Sequence, residues 1–498
     1  MHNFFQYPLV ALLLILGASQ GCGQTESEEP RELSQQQQRV EPVTQEEPGA
    51  QEEPVMQEQP AVGAPPETQE QQATEDENVE EQATPDAADD MANVYLSERM
   101  FAMNMTAQVA SSMPGENFVV SPFGVYECLN VLAVAANPEA GGQIAEAIGL
   151  TPNRSYATEL AQIRQSHIPY VAPQQNQEGQ QQTQTAALPL SPFISRNAML
   201  YDSQFPIGES VIERVFAPFK INAIGLNWED PASVEETGAL MNRMFADATS
   251  GRMTDLVYEA PGLPAESASL VNLGFFGANW STEFSELDPR YAPPMMFQVP
   301  TADGVEAVNV PYMQHSSLTA FYHENEAFQL VELPYLNSVM TMVLVLPAEG
   351  ATELDVLRAL VEDNCLGSRG DRPQQVVPTK VSIPKFAFET GDIDLNGICS
   401  QMGINGVFQA GCGLEDLFSH DKPMFVERFE QNAMIQVDEK GTVAAAVTEA
   451  DLVWMGSTDA EKEFTANRPF MFFIADVNGG VYFSGRVANP VANQQVDE

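Results

Sequence analysis

Glu439-Lys440-Gly441-Thr442-Val443-Ala444-Ala445-Ala446-Val447-Thr448 suits neither a helix nor an ordinary strand. Gly441 beside β-branched Thr442 spoils a helix start, and three consecutive alanines are poor strand formers. A period of two resolves the conflict. Every second residue from Thr442 gives Thr442, Ala444, Ala446, Thr448, Ala450 and Leu452, all uncharged and mostly small. The opposite set, Val443, Ala445, Val447, Glu449, Asp451 and Val453, carries both charges. A strand with one small neutral face and one wettable face suits insertion over a packed core. No proline stands between Glu439 and Pro469, so such a strand would lose no ladder donor. The segment reads as a loop able to become a strand.

Other blocks flank it. Val437-Asp438-Glu439-Lys440-Gly441-Thr442 leads in, and Phe464-Thr465-Ala466-Asn467-Arg468-Pro469-Phe470-Met471-Phe472-Phe473-Ile474 follows. Phe483-Ser484-Gly485-Arg486-Val487-Ala488-Asn489-Pro490 comes last, while Asn117-Phe118-Val119-Val120-Ser121-Pro122 and Leu270-Val271-Asn272 with Phe275, Phe276 and Trp280 lie upstream. In their order along the chain the blocks resemble the serpins, serine protease inhibitors that trap their targets by loop insertion. The resemblance covers residues 93–490, a length that suits one large domain. It implies an α+β serpin fold: helices packed on a large mixed β-sheet, smaller sheets beside it, and an exposed reactive-centre loop. The local pattern agrees. Helical spacing runs from Met91 to Leu150, and strands are expected at Ser269–Phe276, Leu318–Tyr322, Gln329–Pro334, Met340–Pro347 and Val381–Phe388, with a helix near Leu395–Met402.

The resemblance also implies roles. Glu439, Gly441, Thr442, Ala444, Ala445 and Ala446 match the hinge that enters the sheet, and the family's usual spacing from Glu439 puts the cleaved bond at Met455-Gly456. Met455 suits the apolar pocket of an elastase-like or chymotrypsin-like protease, and a register slip would bring Trp454 or Leu452 into its place. Lys385 and Glu439 match an ion pair near Trp280 where insertion begins. Ser121 and Asn272 match a polar cluster beneath the opening sheet, where Gln431 replaces a histidine and Gly124 a second serine. Glutamine both donates and accepts, so the cluster's bonds can survive. The implied partner is a serine protease held in a covalent acyl complex, with cysteine proteases a further class, and the inhibitor acts as a monomer. A non-inhibitory serpin, serving as a binding or structural surface protein, is the alternative.

Charge narrows the partners. The 498 residues hold 70 Asp and Glu against 22 Lys and Arg, a net charge of −48. Such a surface repels nucleic acid and anionic lipid. Residues 1–22 read as a signal peptide, with an apolar run from Leu9 to Ala18 too short to span a bilayer. Cys22 after Ser19-Gln20-Gly21 resembles a bacterial lipoprotein cleavage box, so a secreted or cell-surface protein anchored by lipid is expected, with plain secretion as the alternative. Residues 23–92 read as a disordered acidic Gln, Glu and Pro-rich tether, because they offer too little apolar surface to offset ordering. Residues 491–498 form a short tail.

Enzymatic readings find little support. The single Gly-x-Ser-x-Gly match, Gly17 to Gly21, falls inside the signal peptide. His323-Glu324 begins a zinc-protease pattern, but Ala327 stands where the second ligand belongs. Arg369-Gly370-Asp371 is a short triplet of a kind that arises by chance. No cofactor or metal is expected. Cys128, Cys365, Cys399 and Cys412 allow three complete pairings. Cys399 and Cys412 are near enough in sequence to bridge, while Cys128 reads as a buried free thiol.

Overall fold

Pro114-Gly115 ends the first long helix, Ala87–Ser112, and Gly115 takes φ +76°, a conformation that glycine adopts at no steric cost. The computed structural model describes residues 87–167, 192–248, 267–286, 295–302, 304–373, 375–418, 424–442 and 460–492. The helix begins inside the stretch expected to be a tether. Asp90, in its first turn, pairs with Arg154 at 2.6 Å, and that bond holds the Asp90 carboxyl below its ordinary value. Aspartates opposing the positive end of a helix stabilise it, which composition alone does not weigh.

The helical pattern over 91–150 resolves into three helices with a strand between them. Phe118–Val120 pairs antiparallel with Val481–Val487, and Ser121 then caps helix Pro122–Ala135 by accepting the Gly124 N–H at 3.4 Å. That helix is buried over most of its length. Asn137 caps the third helix, Pro138–Ala147, by accepting from the N–H groups of Glu139 and Ala140. A long-range partner pulls Phe118–Val120 out of helical geometry, and local periodicity does not register that.

Among the described residues the strands form a seven-stranded sheet, a nine-stranded sheet and a two-stranded ribbon, Met296–Thr301 with Gly304–Asn309. The seven-stranded sheet is mixed. Ile221–Leu226 pairs parallel with Phe193–Asp202, which pairs antiparallel with Ser267–Phe276. At the centre Ser267–Phe276 runs parallel to Phe425–Val437, through eight register pairs from Ser267↔Phe425 to Gly274↔Ala433. Phe386–Asp394 lines the far edge of Phe425–Val437, antiparallel.

The expected strand Val381–Phe388 is in fact two. Val376–Pro384 belongs to the nine-stranded sheet and Phe386–Asp394 to the seven-stranded one, with Lys385 between them donating its N–H to Pro311 O at 2.9 Å. A continuous apolar alternation cannot show where a chain changes sheets. The two sheets meet through aromatic rings: Phe386 lies 5.9 Å from both Phe470 and Phe472, centroid to centroid. The Cys399–Cys412 bridge does not form. All four described cysteines are buried free thiols, and Cys412 Sγ donates to Met424 O at 3.2 Å.

Phe472 is fully buried at this junction. Truncation to alanine is expected to cost about 3–5 kcal/mol, read from the shift in denaturant midpoint at unchanged slope.

Candidate functional site: the sheet seam and its hinge

Val437 ends its strand at a tight reversal. Asp438 Oδ1 accepts the N–H groups of Lys440 (2.8 Å) and Gly441 (3.2 Å), and the Asp438 N–H donates to Gly441 O at 3.0 Å. This local bonding turns the chain back along the sheet. Gly441 and Thr442 then form the first rungs of a new strand. Thr442 lies opposite Val437 on one side and Ala278 on the other, and Gly441 opposite Asn279, antiparallel in every case. The chain has therefore started into the gap above the parallel seam.

Gly441 is required there by proximity. A Cβ on it would stand 2.2 Å from Ala278 O and 2.7 Å from Asn279 Cα, so any side chain would push the new strand out. Thr442 is 1 % exposed, and its hydroxyl shares a 2.6 Å hydrogen bond with Tyr335 Oη. Burial pushes the Tyr335 phenol well up, so it remains a neutral hydroxyl. The Tyr335 ring stacks on Trp280 at 4.7 Å and 13°. Trp280 in turn donates its indole N–H to Asp438 O (2.9 Å) and its backbone N–H to Lys440 O (2.8 Å). Lys385 Nζ meets Glu439 Oε1 at 2.9 Å, both side chains about a quarter exposed (28 % and 23 %). An ion pair that wet is worth no more than about 1 kcal/mol. Main-chain bonds and the aromatic stack hold the hinge more firmly than this pair does.

Farther down the seam, three amides share one rung. Asn197 opposes Asn272, and Asn272 opposes Gln431. Gln431 accepts the Ser121 N–H at 2.8 Å and donates to Ser121 O at 2.8 Å and to Asn272 Oδ1. Asn272 Nδ2 donates to Ser195 Oγ at 3.0 Å and to Asn197 Oδ1, and Asn197 donates to Glu127 at 3.0 Å. Glu127 pairs with Arg164. Ser121, Asn272 and Gln431 are fully buried and their polar groups are engaged. Gly124 makes this possible, because a Cβ on it would stand 2.3 Å from Asn272 Nδ2. Gly124 and Gln431 thus belong to one network.

On its far side the loop is tied to the other sheet. Lys462–Thr465 runs parallel to Val376–Pro384, with Lys380–Glu463 (3.0 Å) and Lys462–Glu324 (2.7 Å) pairs at the surface. Ala444, Ala445, Ala446, Met455, Gly456 and Cys22 lie outside the described residues. The structure brings Ser121, Asn272 and Gln431 together in one cluster and Trp280, Lys385 and Glu439 in another. Sequence reading missed Tyr335, Asp438, Asn197 and Glu127. Tyr335 follows Pro334, which ends a strand, and its partner Thr442 is far away in the chain, so no local pattern marks it.

A family model described as serpin (serine protease inhibitor) matches residues 96–490, and the chain belongs to that family. The family is described by protease inhibition and not by an enzymatic activity. The plasma serine protease inhibitor of Bos taurus is 25 % identical over 399 residues, 79 % of this chain and 90 % of its own. An uncharacterized serpin-like protein of Thermococcus kodakarensis is 32 % identical over 312 residues, 60 % of this chain and 67 % of its own. Native protease nexin-1 with heparin shares the fold at TM-score 0.62 and 20 % identity, over 80 % of this chain and 100 % of that one. Human thyroxine-binding globulin complexed with its hormone does so at 0.61 and 19 %, over 80 % and 98 %.

Two expectations follow from this geometry. Gly124→Ser is expected to destabilise the protein by about 1–3 kcal/mol through overpacking against Asn272, measured by chemical denaturation. Gly441→Val is expected to expel the hinge, read as faster amide exchange at Thr442 and altered Trp280 fluorescence.

Proposed function

We propose that the protein is an inhibitory serpin, a suicide substrate for serine proteases of the elastase or chymotrypsin type, with cysteine proteases a secondary class. The observation that carries the reading is the hinge already seated between Ala278 and Val437. If that antiparallel register continued on insertion, Ala444 would come between Phe276 and Ile435, Ala446 between Gly274 and Ala433, and Thr448 between Asn272 and Gln431. The inward face of the inserting strand would be Thr, Ala, Ala, Thr, Ala and Leu, with no charge to desolvate. A buried unpaired carboxylate would cost several kcal/mol; Glu449 and Asp451 fall on the opposite face. The Thr448 hydroxyl would arrive at the rung where the Asn272–Gln431 bond is broken, and it can donate and accept there.

The driving force is an exchange of ladders. Opening the seam gives up one parallel pairing, and insertion supplies antiparallel pairing on both edges, the more stable kind per residue. In the intact chain the loop is tied at Thr442 and again at Lys462, so insertion cannot run to completion. Cleavage after Met455 would release the first tie from the second. About 14 residues at roughly 3.3 Å each would then carry an acylated protease nearly 50 Å.

Incubation with pancreatic elastase or chymotrypsin is expected to give an SDS-resistant complex. Loop cleavage without a complex would favour the alternative, a binding or structural serpin. Thr442→Arg forces a charge beside Tyr335 and is expected to turn inhibitor into substrate, with the stoichiometry of inhibition rising at least tenfold. Export and a lipid anchor at Cys22 complete the proposal, with the inhibitor acting as a monomer on the cell surface. Mass spectrometry of the membrane fraction is expected to find diacylglycerol on Cys22; a soluble, unmodified product would remove the anchor.

A further inference from the structure

The end of helix Glu353–Glu362 breaks an electrostatic rule. The helix carries no basic residue in its last turn, yet Glu362 closes it and Asp363 caps it, where the dipole is already negative. Acids in that position are unfavourable unless a cation sits near them. Here three donors of different kinds converge. His323 Nε2, near the end of strand Tyr312–Glu324, lies 2.8 Å from Asp363 Oδ2. Cys365 Sγ completes a group whose ligand atoms all lie within 4.8 Å of one another. Asn364, at φ +52°, turns the chain between Asp363 and Cys365.

We propose that His323, Asp363 and Cys365 form a binding site for a divalent transition cation of the zinc type. One imidazole nitrogen, one carboxylate oxygen and one thiolate are the donors that such borderline ions prefer over magnesium or calcium. Water would fill the remaining position from the solvent side, where the Asp363 and His323 side chains are 37 % and 18 % exposed. The supporting shell is in place. Asn325 donates to Asp363 Oδ2 at 2.8 Å, and its own carbonyl is fixed by the N–H groups of Ala327 and Phe328. Supporting bonds of this kind orient metal-binding carboxylates. The nearby Arg372 guanidinium is no obstacle, because Glu332 neutralises it in a two-point ion pair. A catalytic Cys-His-Asp reading fails on access, since Cys365 is 0 % exposed. A bound ion would pin the end of the strand to the end of the helix, at a position remote in sequence from the hinge.

Sequence spacing concealed the site. His323 is separated from Asp363 by 40 positions, and its neighbour Glu324 turns to Tyr322 and Lys462 instead.

Cobalt(II) titration of the tag-free full-length protein tests the proposal. One equivalent is expected to produce a thiolate-to-cobalt charge-transfer band, and zinc is expected to displace it and raise Tm by a few degrees. Cys365→Ser is expected to abolish the band. Because replacing a fully buried residue puts the fold at risk, His323→Gln and Asp363→Asn on the open side supply the second reading. Each is expected to weaken cobalt binding by roughly 100-fold or more, beyond the 10–100-fold that changes to supporting residues produce. No charge-transfer band in the parent, a band that survives in folded Cys365→Ser, or unchanged affinity in His323→Gln overturns the site.

Discussion

The eight-rung parallel ladder between Ser267–Phe276 and Phe425–Val437 is the constraint on which the rest of the molecule depends. Parallel pairing is the weaker of the two kinds of ladder, and here it lies at the centre of the sheet instead of at its edge. Above the last rung the strands diverge enough to admit Gly441 and Thr442. Below, the buried amides of Asn272 and Gln431 clasp the same two strands from the interior side. The seam is therefore wedged at one end and latched in the middle.

The latch and the wedge rest on different physics. Asn272 and Gln431 are fully buried, so any partner lost on opening leaves an amide unsatisfied, at a cost of about 1–3 kcal/mol. The hinge uses shape and main-chain bonds: a glycine that fits against Ala278, a threonine that reaches Tyr335, and an indole that reads two carbonyls. Ser121, Asn272 and Gln431 are neutral polar side chains, so the latch they form holds by hydrogen bonds and not by charge. Gly124 then creates the volume in which Asn272 can reach both neighbours.

The buried helix Pro122–Ala135 and the Phe386–Phe472 contact between sheets belong to the core. The acidic composition affects the surface more than the buried core. Its structural trace among the described residues is the Asp90–Arg154 pair, which anchors a helix that starts earlier than composition suggests.

Local pattern was enough to read much of this protein. Met340–Pro347 and the helix near Leu395 follow from their own periodicity, because side-chain direction along a strand or around a helix is a property of the backbone itself. What only the tertiary structure decided were the choices among partners. It put Phe118–Val120 in a sheet and not a helix, divided Val381–Phe388 between two sheets, left Cys399 and Cys412 unbridged, and set Tyr335 against Thr442. Each of these turns on a contact between residues far apart in the chain, and the free energy of such a contact is encoded at neither end alone.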